Sequence, residues 1–397
     1  MLARIGNPLG WGLFCTASWT WCIGMYLPII MLRHWGWWGF AVFAVPNVLG
    51  CAGFGYLCSK ATSERLCRDH AGAMVVFSAI TVAYQMFFLA WLAGALVSAH
   101  GEPVSSPLPM GWLVPAGCIV VAILLSLAPE RAWPWLGVLI TGVSFFAWTQ
   151  VGFAPLGTIP MGGHPNMPTA QSLWFAAPII VFGFLLCPWL DRTFHRARQR
   201  TSSVHAFGVF GISFFVVILL TAAYGATGGL RIETLLTAVL AHLVTQLIFT
   251  IAVHVRELRR APVPHTQRAR QMVILVPAIG GVLAVEASSL FGIDAETTYL
   301  LFLGCYGLLF PAYVALFMPP GPRRWPVTRG RVVLFGVVVL ALAPLAARGF
   351  IALDTWLLPI PLALIALLHF ALPPPRGGTS TIRENSGISG APSPEGR

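Results

Sequence analysis

Charge is what this sequence has least of. Lys, Arg, Asp and Glu make up 9% of its 397 residues, against about 25% in a soluble domain. Acidic residues number 13, and Lys60 is the sole lysine among 24 basic residues. So little charge excludes a disordered chain and a cytosolic enzyme. The eight cysteines include no CxxC pair. Most lie in apolar stretches, where Cys packs as a small hydrophobe, so neither a disulfide framework nor a metal site is expected. HExxH, GxSxG, Walker A and GxGxxG signatures are missing from any suitable element. No two intramembrane carboxylates pair as an intramembrane aspartyl protease requires. An enzyme is therefore not expected, nor a resident cofactor.

What fills the chain instead is apolar: 57% hydrophobic residues and a mean hydropathy of +0.79. A single soluble core stops growing at roughly 250–300 residues. The composition reads as an all-α polytopic membrane protein with the lipid bilayer as its partner. Transmembrane β-strands would alternate and give no long unbroken runs. The net charge of +11 fits arginines gathered in cytoplasmic loops better than nucleic-acid binding. The preference for Arg over Lys points to a GC-rich bacterial genome and hence an inner membrane. Arg4 precedes an apolar stretch at 8–32 that is longer than a signal-peptide core and has no A-x-A-like site, so it reads as a first span.

With about 20 apolar residues per span, twelve are expected: 8–32, 36–59, 71–98, 110–128, 133–152, 172–190, 204–225, 233–255, 271–291, 297–318, 331–350 and 354–372. If the N-terminus is inside, 21 of the 24 basic residues fall on inner segments. Only Arg33, Arg231 and Arg348 fall outside, so both termini are expected to be cytoplasmic. Spans one to five (8–152) and six to ten (172–318) are nearly equal in length. Five is odd, so the second block must be inverted relative to the first. The predicted architecture is a 5+5 inverted repeat plus two C-terminal helices at 331–372, the pattern of an inverted-repeat transporter. The Pro-, Gly- and Ser-rich tail at 373–397 reads as disordered.

In such folds the first helix of each repeat is broken near mid-membrane, where freed backbone groups bind solute and ion. Span one carries Thr16, Ser18 and Thr20 beside Trp19, Trp21, Gly24 and Pro28. Span six carries Pro178, Gly183 and Pro188. Span eight has His242, Gln246, Thr250 and His254 on one face, at i, i+4, i+8 and i+12. The first two are candidates for an ion path, and His254 is expected at the interface. Ser78, Thr81 and Gln85 share a face of span three. Glu286 is the one carboxylate well inside a span, which makes it a functional candidate. Asp191 is expected in a salt-bridge network with Arg192, Arg196 and Arg198. Asn47 is expected to cap backbone freed by Pro46. Trp35, Trp37, Trp38, Trp112, Trp133, Trp135 and Trp356 read as interfacial belts.

The segments SWTWCIGMYLP and WGFAVFAVPNVLGCAGFGYL, with FGFLLCPWLDRTFHRAR as a sixth helix, resemble sodium/solute symporter-like proteins. More broadly they are similar to the amino acid–polyamine–organocation superfamily with the LeuT-type fold. The resemblance implies a secondary active transporter that moves a small polar organic solute by alternating access. The middles of spans one and six would line its site, and spans three and eight would flank it. That family's sodium site uses neighbouring hydroxyls on the eighth core helix. Thr245 and Thr250, with His242 and Gln246, stand here instead, so sodium coupling, proton coupling and no coupling all stay open. Two rivals are a major-facilitator transporter, whose loop signature GYLCSKATSERLCRDH fits poorly, and a non-transporting sensor or scaffold.

Overall fold

The computed structural model describes residues 2–99, 110–162, 170–227, 233–262, 266–320 and 324–371. The predicted tail at 373–397 lies outside the described residues. Among those described there is helix and no strand. Among the described residues nine helices are long and apolar enough to cross a membrane, and two shorter apolar helices accompany them. In a bilayer each backbone amide must be paired within its own segment, which is why so apolar a chain becomes helix throughout. The protein is thus a helical, multi-pass membrane protein.

Span one is divided. Helix α1 (Leu2–Trp19) stops, Thr20 and Trp21 are not helical, and α2 (Cys22–Leu57) begins. Helix α2 runs through the end of span one and nearly all of span two, to Leu57. The reversal between them falls at Gly36, whose φ of 57° only glycine adopts readily. The expected turn at Arg33–Trp35 is therefore helical, and the chain bends one residue later. Past the bend, the amides of Trp37 and Trp38 donate to the carbonyls of Pro160 and Met161.

The chain continues as α3 (Lys60–Asp69), α4 (Ala71–Ala99), α5 (Met110–Leu125), α6 (Trp133–Val151) and α7 (Ala170–Leu186). After α7 a short 3-10 turn over Cys187–Trp189 leads into α8 (Arg192–Arg200). Next come α9 (Ala206–Ala226), α10 (Glu233–Arg260), α11 (Gln267–Leu290) and α12 (Ala295–Gly304). A π-turn at Cys305–Leu309 joins α12 to α13 (Phe310–Phe317), and α14 (Arg329–Ile351) and α15 (Pro359–Ala371) follow. The polar helices α3 and α8 were not anticipated by hydropathy, because both are too short and too charged to span. They pack on each other.

The packing has a regular plan. Helix α4 packs on α11, and α10 on α5. Helix α1 packs on α9, and α7 on α2. Helix α1 packs on α6, and α7 on the π-turn and α13. Exchanging the expected spans one to five with six to ten turns each of these pairs into its mate. The contacts of α4 with α10 and of α2 with α9 map onto themselves.

Small residues permit the closest crossings, as in other membrane bundles. A Cβ on Gly50 would sit 2.5 Å from the Phe184 carbonyl oxygen, and one on Gly281 would meet the Ala83 carbonyl oxygen. Two tryptophans leave the expected belts: Trp35 and Trp133 are buried, whereas Trp38, Trp135 and Trp356 are exposed.

Candidate functional site

Buried side chains bond backbone groups beside the break after Trp19, among them the Gly24 carbonyl, which Pro28 leaves without an i+4 amide. Gln85 on α4 accepts from the Cys22 amide at 3.3 Å. Tyr299 on α12 donates to the Cys22 carbonyl at 3.1 Å. Thr221 on α9 donates to the Gly24 carbonyl at 2.9 Å, and Tyr224 to that of Met25 at 2.6 Å. Thr20 turns back to the Thr16 carbonyl at 2.7 Å. Thr16 shares a 2.5 Å hydrogen bond with Ser213 on α9. Spans one, three, seven and ten thus meet around the helix ends that flank the unwound dipeptide.

The two tryptophans at the break pack inward. Trp19 donates to the Asn47 side-chain oxygen at 2.8 Å, so Asn47 serves the break in span one rather than backbone near Pro46. Trp21 lies against Phe77, His254 and Tyr306. Between them a cavity of about 10 Å³, about enough for one water, is lined by Trp19, Trp21, Gly24, Asn47, Cys187 and Tyr306. The centre is closed down, with aromatic rings filling it.

Span six breaks later than expected. Helix α7 runs unbroken through Pro178 and Gly183. Gly183 instead lets the π-turn approach: a Cβ there would come within 2.8 Å of the Tyr306 carbonyl oxygen. The interruption falls at Pro188 and ends at Asp191, whose carboxylate caps α8 by accepting from the Thr193 amide at 2.7 Å. Thr193 donates to Ser18 at 3.4 Å, which ties the second break to the first. Among the described residues Asp191 joins no ion pair. Its expected arginine partners bind Glu257 and the Cys58 carbonyl instead.

The two remaining polar faces do come together. Ser78 pairs with His254 at 3.2 Å and Thr81 with Tyr306 at 2.9 Å. His254 is wholly buried, not interfacial as expected. His242 and Gln246 both reach Ser144 on α6, each at 2.9 Å. They form a buried cluster apart from the unwound dipeptide, with His242 Nε2 and Gln246 Oε1 left unpartnered. Glu286 stands elsewhere: it is exposed, and its carboxylate accepts from Trp112 at 3.2 Å.

Ion pairs stand at both ends of the bundle. At one end Arg33 of α2 pairs with Glu296 of α12, which also accepts from Tyr26 at 2.6 Å. At the arginine-rich end the buried Glu257 of α10 takes Arg196 through both oxygens, each at 3.0 Å, and lies 3.6 Å from Arg192 and from Arg256. Glu130 adds Arg256, Arg260 and Arg200. Beside this network His195 of α8 donates from Nε2 to the Trp189 carbonyl at 2.9 Å and accepts from Ser63 of α3 at 2.8 Å. Burial holds that imidazole down at about 4, against the opposing pull of the carbonyl.

Sequence reasoning passed over Tyr299, Tyr306, Thr221 and Tyr224. Nothing in their spacing marks them, since each acts across a helix contact. A second cavity, about 240 Å³, lies between α7, the π-turn and α14. Its lining is almost wholly apolar, including Ile179, Leu303, Val339 and Phe350, so it does not suit a polar solute.

No family model matches the chain, and no curated protein matches it. One solved structure with some likeness is a manganese transporter of Eremococcus coleocola, crystallised with an aromatic bis-isothiourea substituted compound. The two share 11% identity over 93% of this chain and 92% of that one, with a TM-score of 0.34. Likeness at that depth assigns neither fold nor cargo.

Proposed function

We propose that this protein is a secondary active transporter that moves a small polar organic solute across the bacterial inner membrane by alternating access. The observation that carries the reading is the interruption of span one at Thr20–Trp21, inside the span, tied through Ser18 and Thr193 to the 3-10 turn that ends span six at Pro188–Asp191. A helix broken inside a bilayer costs several kcal/mol per unsatisfied group. Such breaks persist where backbone is needed for binding or for bending.

The exchange-symmetric packing supports a LeuT-like arrangement of twelve spans: a repeat at 8–152, an inverted repeat at 172–318, and two added helices at 331–372. An exchange by six spans, as in a major-facilitator fold, would require α9 to pack extensively on α14, and the principal packed pairs do not include that one. The arginines clustered about Glu130 and Glu257 support placing that end in the cytoplasm, with both termini. In this reading the structure is the occluded state. Glu257 with its arginines closes the inner end, and Arg33 with Glu296 closes the outer end. The solute site forms around Ser18, Trp19, Trp21, Gly24 and Gln85 when Trp21 swings away. His242 and Gln246 line a neighbouring path, and Glu286 takes no part at the centre.

The test is a thermal-shift screen of the purified protein against amino acids, nucleobases, sugars, organic acids and polyamines, with and without sodium and across pH, followed by uptake into proteoliposomes. A saturable shift that Ser18→Ala or Gln85→Ala removes, together with uptake, supports the reading. Folded protein that responds to no solute and moves none sinks it and favours a sensor or scaffold.

A further inference from the structure

Asp191 is wholly buried, and its Oδ2 has no hydrogen-bond partner. A buried carboxylate needs a counter-charge, or it gives up its own charge. Among the described residues no basic group lies within ion-pair distance of Asp191, although Nε and Nη1 of the adjacent Arg192 are buried without a hydrogen-bond partner. On α8, Arg192 lies 3.6 Å from Glu257, and Arg196 binds the same carboxylate through both of its oxygens. His195 has both ring nitrogens engaged as a neutral imidazole, by the Trp189 carbonyl and Ser63. Cys15 of α1, Cys51 of α2 and Cys187 of the 3-10 turn are buried free thiols and carry no positive charge. From α10 comes Glu257, a second acid. Thiols and one cap amide do not make the oxygen shell that a hard cation takes.

We infer that Asp191 binds a proton in the occluded state, and that this proton is exchanged when the inner end opens. The neutral acid fits the dry, thiol-lined hinge between the 3-10 turn and α8. The ionised form is favoured at the N-terminus of α8, where the helix dipole welcomes negative charge, once water reaches it. Loss of the proton and hydration of the hinge therefore accompany each other, and Thr193–Ser18 passes the change to the break in span one. Proton binding stands on the burial and the missing counter-charge alone. Its coupling to solute rests on the transport reading above.

The chain holds four aspartates: Asp69, Asp191, Asp294 and Asp354. The other three reach solvent. Carbon-13 placed in the aspartate side-chain carboxyl of the full-length protein therefore resolves the question by NMR in micelles, without a variant. Exposed aspartates are ionised above pH 5. The expected result is one carboxyl signal at the protonated position at pH 6 that moves to the ionised position as pH rises. Asp191→Asn removes it and keeps the cap, since Asn caps nearly as well as Asp. Four ionised signals at pH 6 overturn the proposal. So does a signal that answers to sodium and not to pH. In proteoliposomes, Asp191→Asn is expected to keep solute counterflow and lose accumulation driven by a pH gradient. Unimpaired pH-driven accumulation in that variant overturns the coupling. If the protonated signal is present but no solute is ever moved, the transport reading fails and the proton site stands.

Discussion

Replacing Glu257 by Ala tests whether the arginine-rich end is held shut by one buried acid. Glu257 is 2% exposed, and the side chains of Arg192 and Arg196 are 10% and 16% exposed. Removing the carboxylate leaves those two guanidiniums with no anion, while Arg256 keeps Glu130. Stranding a buried partner costs roughly 3–5 kcal/mol. The partial exposure of both arginines places the expected loss at the lower end, about 3 kcal/mol. The assay is equilibrium unfolding in mixed detergent–dodecyl sulfate micelles, followed by tryptophan fluorescence. The double variant Arg196→Met, Glu257→Met should recover much of the loss, because both charges leave together. A second readout is access: the thiol of Cys15, buried behind this end, should become reactive in Glu257→Ala. A loss below about 1 kcal/mol, with Cys15 still unreactive, would refute the reasoning.

Glu296→Gln should loosen the opposite end without large cost, since that pair is partly exposed and such pairs contribute about 1 kcal/mol or less. An impermeant thiol reagent should then label Gly24→Cys faster than in the parent background. His195→Gln should remove a pH dependence of stability. Its imidazole is neutral in the fold, with a value near 4 against 6.5 unfolded, so the unfolded chain binds more protons between these. Stability is full above about pH 6.5 and falls as pH drops toward 4, by at most roughly 3 kcal/mol. Melting curves from pH 4 to 7.5 should be flatter in the variant; equal slopes would contradict the assignment. Gly50→Val should destabilise by about 1–3 kcal/mol through overpacking against Phe184. Gly53→Ala, on the same helix with open space around it, should cost less than half as much. Similar losses at both would mean that the α2–α7 crossing is not tight.

Hydropathy and arginine placement alone marked out most of the helices, because each span must satisfy the bilayer within its own twenty or so residues. Local composition likewise pointed to a break near Ser18–Gly24 and to Pro188. In both cases the signal is a property of neighbouring residues: hydroxyls beside glycine, or a missing amide. Periodicity also placed Ser78, Thr81 and Gln85 on one face. Which groups those faces meet was another matter. That Gln85 holds the Cys22 amide, that Asn47 serves Trp19, and that Arg192 and Arg196 choose Glu257 over Asp191 are contacts between residues tens of positions apart.

The chain by itself therefore determined that this is a helical membrane protein with interrupted spans. Hydrophobic run length and turn chemistry are local quantities, and they can be summed along a sequence. Only the tertiary structure decided that Glu286 stands exposed, that His254 is buried, and that Asp191 sits at the hinge without a counter-charge. Burial and ion pairing depend on which helices cross and at what rotation. Those are set by close approaches at Gly50, Gly183 and Gly281 that no single span contains.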